Sequence, residues 1–218
     1  MDSFPNPILL IGVLTLLGLA PFIAILTTSF VKIVIVIQMV RSALGLQQAP
    51  PNLAINGLAI ILSIYVMAPV GMEAHERFST HNVSLEDIQN PRLQTAIEDS
   101  YAPFKAFLIK HSSEQERHFF VQTTKKLWPK KYSDKMTSDN LLVLVPAFLI
   151  SELTSAFQIG FLLYLPFIII DLIISNILIS MGMIMVSPIV ISLPFKVLLF
   201  VLVDGWVRLL HGLILSYQ

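Results

Sequence analysis

Uncharged residues form long blocks on either side of a polar middle segment. Four runs contain no Asp, Glu, Lys or Arg, namely residues 3–31, 42–72, 153–170 and 172–195. A hydrocarbon core about 30 Å thick needs roughly 20 helical residues, so each run is about long enough to cross a bilayer. The apolar residues are continuous rather than alternating, which favours helices over barrel strands. The pattern therefore predicts an all-α membrane protein with about four spans, arranged as helical hairpins.

The charged residues are concentrated between the two apolar halves. Twenty of the 28 lie between Glu73 and Asp139. This distribution divides the chain into a first apolar half, a polar insert and a second apolar half, at residues 1–72, 73–138 and 139–218. Between the first two spans Lys32 and Arg41 have no acidic neighbour. The positive-inside rule therefore predicts that residues 32–52 face the cytoplasm and that the insert lies on the outer side.

The residue pattern of the insert predicts two short helices. Ser84 and Asp87 resemble a capping box, and five apolar residues then follow at helical spacing: Leu93, Ile97, Tyr101, Phe104 and Leu108. Ser113 is expected to begin the second helix, which Trp128 and Pro129 end. Because two short helices bury little surface by themselves, we expect their apolar faces to pack on each other or on a neighbouring subunit.

Composition narrows the class of protein. Hydrophobic residues make up 55% of the chain, charged residues only 13%, and the mean hydropathy is +0.77. Soluble domains carry about 25% charged residues, so the chain is predicted to lie in a membrane. The 14 basic and 14 acidic residues cancel, which argues against binding to nucleic acid. With no cysteine, the chain can form neither a disulfide nor a Cys-ligated metal site.

The sequence predicts neither catalysis nor a cofactor. His111, Glu114 and His118 could share one helix face, but no fourth ligand is indicated, and such residues are usually the solvated side of a helix. The motifs Gly-x-Gly-Asp and Gly-x-Ser-x-Gly are absent, as is a phosphate-binding glycine-rich loop.

Four charges interrupt the second apolar half: Glu152, Asp171, Lys196 and Asp204. At the centre of a helix that faces lipid, each would cost about 2.5 to 3.5 kcal/mol. We therefore expect these side chains to face protein or water. Two roles remain open, because the charges could pair to hold helices together or could line a path for ions or substrate.

Two further patterns interrupt the second half. Four prolines are expected to break its helices: Pro146, Pro166, Pro188 and Pro194. Between the second and third of them, Met181, Met183 and Met185 accompany Gly182 and Ile184. A loop that contains glycine can direct several flexible thioethers towards one place, and Met adapts to a seam that must sometimes open.

Several motifs in both halves resemble one known family. The first half contains Thr28-Ser29-Phe30 and the segment 48–52, Gln-Ala-Pro-Pro-Asn. The second half contains Pro146-Ala147-Phe148, Ser151-Glu152-Leu153, 156–161 with Phe157 and Gly160, Pro194-Phe195-Lys196 and Asp204-Gly205-Trp206. In these motifs the chain resembles the polytopic export-gate component of bacterial type III secretion systems, called P in flagella and R in injectisomes. The short segment before the first apolar run favours the injectisome branch.

The resemblance implies a non-enzymatic subunit of the bacterial inner membrane. Family members form a homo-oligomer, expected to be a pentamer, and assemble with the S and T components and with larger export-gate and switch or needle-base proteins. Together they form a ring-like or helical entry pore for unfolded secreted proteins. The assembled gate is expected to protrude towards the periplasm, which would reduce the number of helices that cross lipid.

The resemblance also implies roles for individual residues. Met181, Met183, Ile184 and Met185 match a methionine-rich gasket that closes the pore before secretion. Glu152 and Lys196 are then candidates for an ion pair, within one copy or between adjacent copies.

The alternative function is an autonomous ion-coupled secondary transporter with Asp171 and Asp204 as relay acids. Inverted repeats would favour the transporter, but the two halves show none.

Overall fold

The computed structural model describes residues 7–81 and 91–218, and within them all regular structure is helical. The helices are α1 (Pro7–Thr27), α2 (Phe30–Ala43), α3 (Asn52–Thr80), α4 (Pro91–Ser100), α5 (Ala102–His111), α6 (Glu114–Leu127), α7 (Lys130–Ser133), α8 (Leu141–Ser180), α9 (Pro188–Leu202) and α10 (Gly205–Leu215). The predicted all-α class is confirmed. The predicted capping box at Ser84 and Asp87 lies outside the described residues.

Two helices, α3 with 29 residues and α8 with 40, are long and apolar enough to cross a membrane. Two bent pairs could each form one further span: residues 17–27 with α2, bent by 63°, and α9 with α10, bent by 61°. Residues 7–81 and 91–218 therefore contain two to four candidate spans. Helix α8 continues through Asp171, the charge that separates the third uncharged run from the fourth. The Asp171 carboxylate has partners on a neighbouring helix, so the helix does not need to end there.

The prolines break fewer helices than the sequence predicts. Pro146 and Pro166 lie inside α8 and Pro194 lies inside α9, whereas Pro188 is the first residue of α9. A proline removes one backbone donor, but an apolar setting offers no water to compete for the remaining helical hydrogen bonds. The helices therefore continue through three of the four positions, and the expected breaks at Pro146, Pro166 and Pro194 are wrong.

Helix α2 lies at the centre of the main core. It is rich in β-branched residues and packs against both α3 and α8. A helix that is apolar on most sides is stable only when neighbours cover it. Its buried residues join Phe167 of α8, Phe200 of α9 and Leu213 of α10 in one cluster. The buried apolar residues of α2 in this cluster are Ile33, Val36, Ile37, Val40 and Ala43.

The insert helices pack on the long helices of the same chain, a partner that the residue pattern did not predict. Helices α4 and α5 contact α3, and α5 and α6 contact α8. The single helix predicted between Leu93 and Leu108 is wrong, since it is interrupted at Tyr101. Pro103 follows the interruption and cannot donate a backbone hydrogen bond to residue 99. Helix α6 has the predicted bounds, with Ser113 before it and Trp128 after it.

A close approach between α2 and α8 generates the first testable prediction. Gly160 of α8 is buried, and a Cβ added there would collide with the Met39 side chain of α2. We expect Gly160→Ala to lower the free energy of unfolding by about 1–3 kcal/mol. In the double variant Gly160→Ala with Met39→Ala the total loss should be smaller than the sum of the two single losses, because the thioether in collision is gone. Denaturant titration of the detergent-solubilised protein measures both changes.

The control for this prediction is Gly57→Ala on α3, where an added Cβ meets no atom within 4 Å. Ala favours a helix by about 1 kcal/mol over Gly, so this variant should be as stable as the parent or more stable. Equal effects at positions 160 and 57 would contradict the close packing of α2 on α8.

Candidate functional site

A buried ion pair joins the two apolar halves of the chain. Lys32 lies on α2 and Glu152 on α8, and the Lys32 Nζ lies 3.2 Å from the Glu152 Oε1. Their exposed fractions are 3% and 2%. Removing one partner of a buried pair leaves an uncompensated charge, so each residue stabilises the buried position of the other.

Tyr217, which follows α10, completes this site. Its hydroxyl donates a hydrogen bond to the Glu152 Oε2, and its ring lies under the Lys32 ammonium, 3.6 Å from Nζ to the ring centroid. A cation over an aromatic face is attracted by the ring quadrupole. Each Glu152 oxygen thus has a partner. We call Lys32, Glu152 and Tyr217 the buried triad.

Two aromatic rings of the insert cover the triad. Phe107 and His111 of α5 lie 6.1 Å and 5.0 Å from Tyr217 between ring centroids. Burial lowers the pKa of His111 to about 4, and the positive charges of Lys32 and Lys110 act in the same direction. His111 is therefore neutral at pH 7 and adds no positive charge beside Lys32.

A second ion pair joins α8 to α9. The Lys196 Nζ lies 2.6 Å from the Asp171 Oδ2, and the Ser192 hydroxyl donates to the Asp171 Oδ1 at 2.5 Å. Lys196 also donates to the carbonyl oxygen of Ala43 at 3.1 Å, at the end of α2. This second pair therefore connects the hairpin of α8 and α9 to the central helix.

Within the chain these contacts correct the predicted pairing of charges. Glu152 and Lys196 do not pair with each other, because Lys32 neutralises Glu152 and Asp171 neutralises Lys196. Asp204 is exposed and forms no ion pair with any residue that the structure describes. Sequence reasoning used Lys32 only as an orientation signal and missed it as a partner. The sequence did indicate such a pair, because a buried apolar helix that contains one Lys needs an acidic residue on a neighbouring helix.

The methionine segment is an exposed loop between α8 and α9. Gly182 has a φ of +75°, and the amides of Gly182 and Met183 donate to the carbonyl oxygens of Ile179 and Leu178. This arrangement is a Schellman motif, which ends α8 and satisfies its last carbonyls. The apolar side chains in the loop have exposed fractions of 42% to 99%: Met181, Met183, Ile184 and Met185.

A family model described as the FliP family matches residues 13–213. The chain belongs to the FliP family. It is 56% identical over 217 residues to the Yop proteins translocation protein R of Yersinia pestis, with 100% of this chain and 99% of that protein covered. It is 46% identical to the hypersensitivity response secretion protein HrcR of Ralstonia nicotianae, with 93% of each covered. It is also 46% identical to the virulence protein YscR of Salmonella typhimurium, with 99% of this chain and 100% of that protein covered. The predicted family is confirmed, and these relatives support its injectisome branch.

The second-half residues on which the predicted resemblance rests lie at contacts between helices and at exposed positions. Glu152 and Lys196 are the buried charges, and Gly160 meets Met39. Gly205 is buried against the ring of Phe200, where a Cβ would collide. Trp206 also meets Phe200, at 5.3 Å between ring centroids. The other three motif residues lie on helix surfaces, where Pro146 is partly buried and Phe157 and Pro194 are exposed.

In the first half, Thr28-Ser29-Phe30, on which the predicted resemblance also rests, lies at the bend between α1 and α2. The buried hydroxyl of Ser29 donates to that of Ser63 on α3, and Ser63 in turn donates to Thr28, each at 3.1 Å. At the other end of α2, Arg41 donates to Asn52 at 2.6 Å and to the Pro50 carbonyl. Polar contacts therefore fix both ends of the central helix.

The buried triad predicts a specific pattern of charge rescue. Glu152→Gln leaves Lys32 buried and unpaired, and should lower the free energy of unfolding by about 3–5 kcal/mol. Exchanging the charges, Lys32→Glu with Glu152→Lys, should recover part of the loss. Exchanging the charges of the other pair of residues, Glu152→Lys with Lys196→Glu, should not recover the lost stability. Denaturant titration in detergent measures the three variants.

The control for the charge exchange is the exposed pair of Glu73 and Arg77 on α3. Removing a surface pair costs at most about 1 kcal/mol, so Glu73→Gln should change stability little. Rescue by the exchange with Lys196, but not by the exchange with Lys32, would show that the described pairing is wrong.

His111 predicts a pH dependence of stability. The pKa of this side chain is near 4 in the folded protein and near 6.5 when it is free. Between these values the unfolded chain binds more protons, so stability should fall as pH decreases from 6.5 to 4. His111→Phe should remove this contribution while keeping a ring on Tyr217. Thermal unfolding midpoints at pH 7 and pH 5 measure the difference, and an equal decline in both proteins would contradict it.

Proposed function

We propose that the chain is a core subunit of a type III secretion export gate. With copies of itself and the two smaller S and T components, it forms the entry pore for unfolded secreted proteins. The observation that carries this proposal is the match to the FliP family over residues 13–213, together with relatives named for translocation and secretion. The larger export-gate and needle-base proteins would then surround an assembly of the inner membrane that protrudes towards the periplasm.

The exposed apolar surface supports assembly into an oligomer. Leu17, Phe22 and Ile23 of α1 are all more than half exposed, as are many residues in the second half of α8. Apolar surface of this extent requires either lipid or other subunits. A subunit that packs on copies of itself and on smaller membrane proteins would cover this surface without a further span.

The methionine loop is proposed to close the pore before secretion. Met185 is 99% exposed at the tip, and Gly182 permits the tight turn that presents it. Unbranched thioether side chains adapt to irregular neighbours, so a ring of such loops could close tightly and still deform around different substrates. Ile184 keeps the loop apolar but is stiffer at χ1.

Native mass spectrometry of the detergent-extracted protein tests the assembly. The protein is expressed alone and together with its two proposed gate partners. A discrete oligomer that takes up both partners is the expected result. A lone monomer or dimer that is indifferent to them would overturn the proposal and favour an ion-coupled transporter.

A loop variant tests the gasket. Replacing Met181, Met183 and Met185 together by Ala should let small ions leak through the assembled gate, because the side chains that fill the closed pore are removed. A fluorescent dye that reports membrane potential measures the leak in cells. Met72→Ala on α3, also exposed, is the matched control. Equal potentials in the loop variant and the control would contradict the gasket.

A further inference from the structure

An apolar groove lies between α2, α8, α9 and α10, away from the buried triad. Its volume is about 520 Å³, within the range of roughly 300 to 1,000 Å³ that is usual for sites that bind small molecules. Phe167, Leu199 and Leu213 are among its walls. Among the described residues that line it, Arg208 of α10 is the one charged residue.

Arg208 places a positive charge at the groove. It is exposed and forms no ion pair with any residue that the structure describes. Asp204, one turn earlier, does not come within 4 Å of its guanidinium nitrogens. A guanidinium can donate two parallel hydrogen bonds to a phosphate, and its apolar stem can lie along an apolar wall. The groove thus combines an apolar interior with a positive charge in its lining.

We propose that this groove binds one acyl chain of an anionic phospholipid, whose phosphate is held by Arg208. A basic residue beside an apolar pocket between membrane helices is the arrangement that recognises anionic lipid headgroups. A second copy of the chain is the competing occupant. Its exposed apolar helix α1 carries no acid, so it could fill the groove but would leave Arg208 without a counter-charge.

Gly212 of α10 provides a way to fill the groove without disturbing the fold. It belongs to the lining, and a Cβ added there meets no atom within 4 Å. Leu is also a better helix former than Gly, so Gly212→Leu should keep α10 intact while occupying the space of the acyl chain. Gly57→Leu on α3 is the matched control, because Gly57 also has open space around it but lies outside the groove.

The experiment titrates the delipidated full-length protein in detergent with phosphatidylglycerol or with phosphatidylcholine of the same acyl chains. Native mass spectrometry counts the lipids retained. The parent protein should bind phosphatidylglycerol about fivefold more tightly, the size of effect expected for one basic residue near an anionic headgroup. Arg208→Gln should abolish this preference. Gly212→Leu should weaken binding of both lipids, and Gly57→Leu should change neither.

Three results would overturn the proposal. The first is equal retention of both lipids by the parent protein. The second is parental lipid binding by Gly212→Leu with an unchanged oligomer. The third is parental lipid binding by Gly212→Leu with an altered oligomer mass, which would assign the groove to a second copy. Because Arg208 is exposed, Arg208→Gln should fold normally, and an unchanged thermal midpoint would show that a lost preference reflects the lost charge.

Discussion

The buried pair of Lys32 and Glu152 is the interaction on which the rest of the structure depends. Neither charge can remain unpaired in an apolar interior. The pair therefore fixes how far α2 and α8 are shifted along each other and how each is rotated about its own axis. Tyr217 then bonds to the same carboxylate, and rings of the insert pack on Tyr217. Elements that are far apart in sequence are thus assembled around one ion pair, which also fixes how the insert lies over the core.

The second ion pair, Asp171 with Lys196, fixes the packing of the hairpin of α8 and α9, which carries the methionine loop. Lys196 also bonds to the end of α2, so the base of this hairpin is connected to the central helix by charge-assisted contacts. We infer that these pairs select one packing among several that apolar surfaces alone would allow, because burying an ion pair returns little net stability. The loop has no ion pair with any residue that the structure describes, and its apolar side chains are exposed.

Sequence reasoning predicted the features that depend on local chemistry. The helical class follows from the apolar runs, the bounds of α6 follow from Ser113 and Trp128, and the turn at Gly182 needs a residue that tolerates positive φ. It also identified Glu152 as a charge that required a partner. It could not identify Lys32 as that partner, because a residue pattern gives the cost of burial but not which helices become neighbours. The continuation of α8 through its prolines was missed for a similar reason, since tertiary surroundings decide it.

The separation of Lys32 from Glu152 also has a consequence for biosynthesis. The two residues are 120 positions apart. At roughly 5–20 residues per second, the ribosome adds Glu152 about 6 to 24 s after Lys32. During this interval the ammonium group must stay in water or at the lipid headgroups, and α2 cannot settle into its final place. We therefore expect the nascent first half to stay at the membrane surface, where water can solvate Lys32, until the second half emerges.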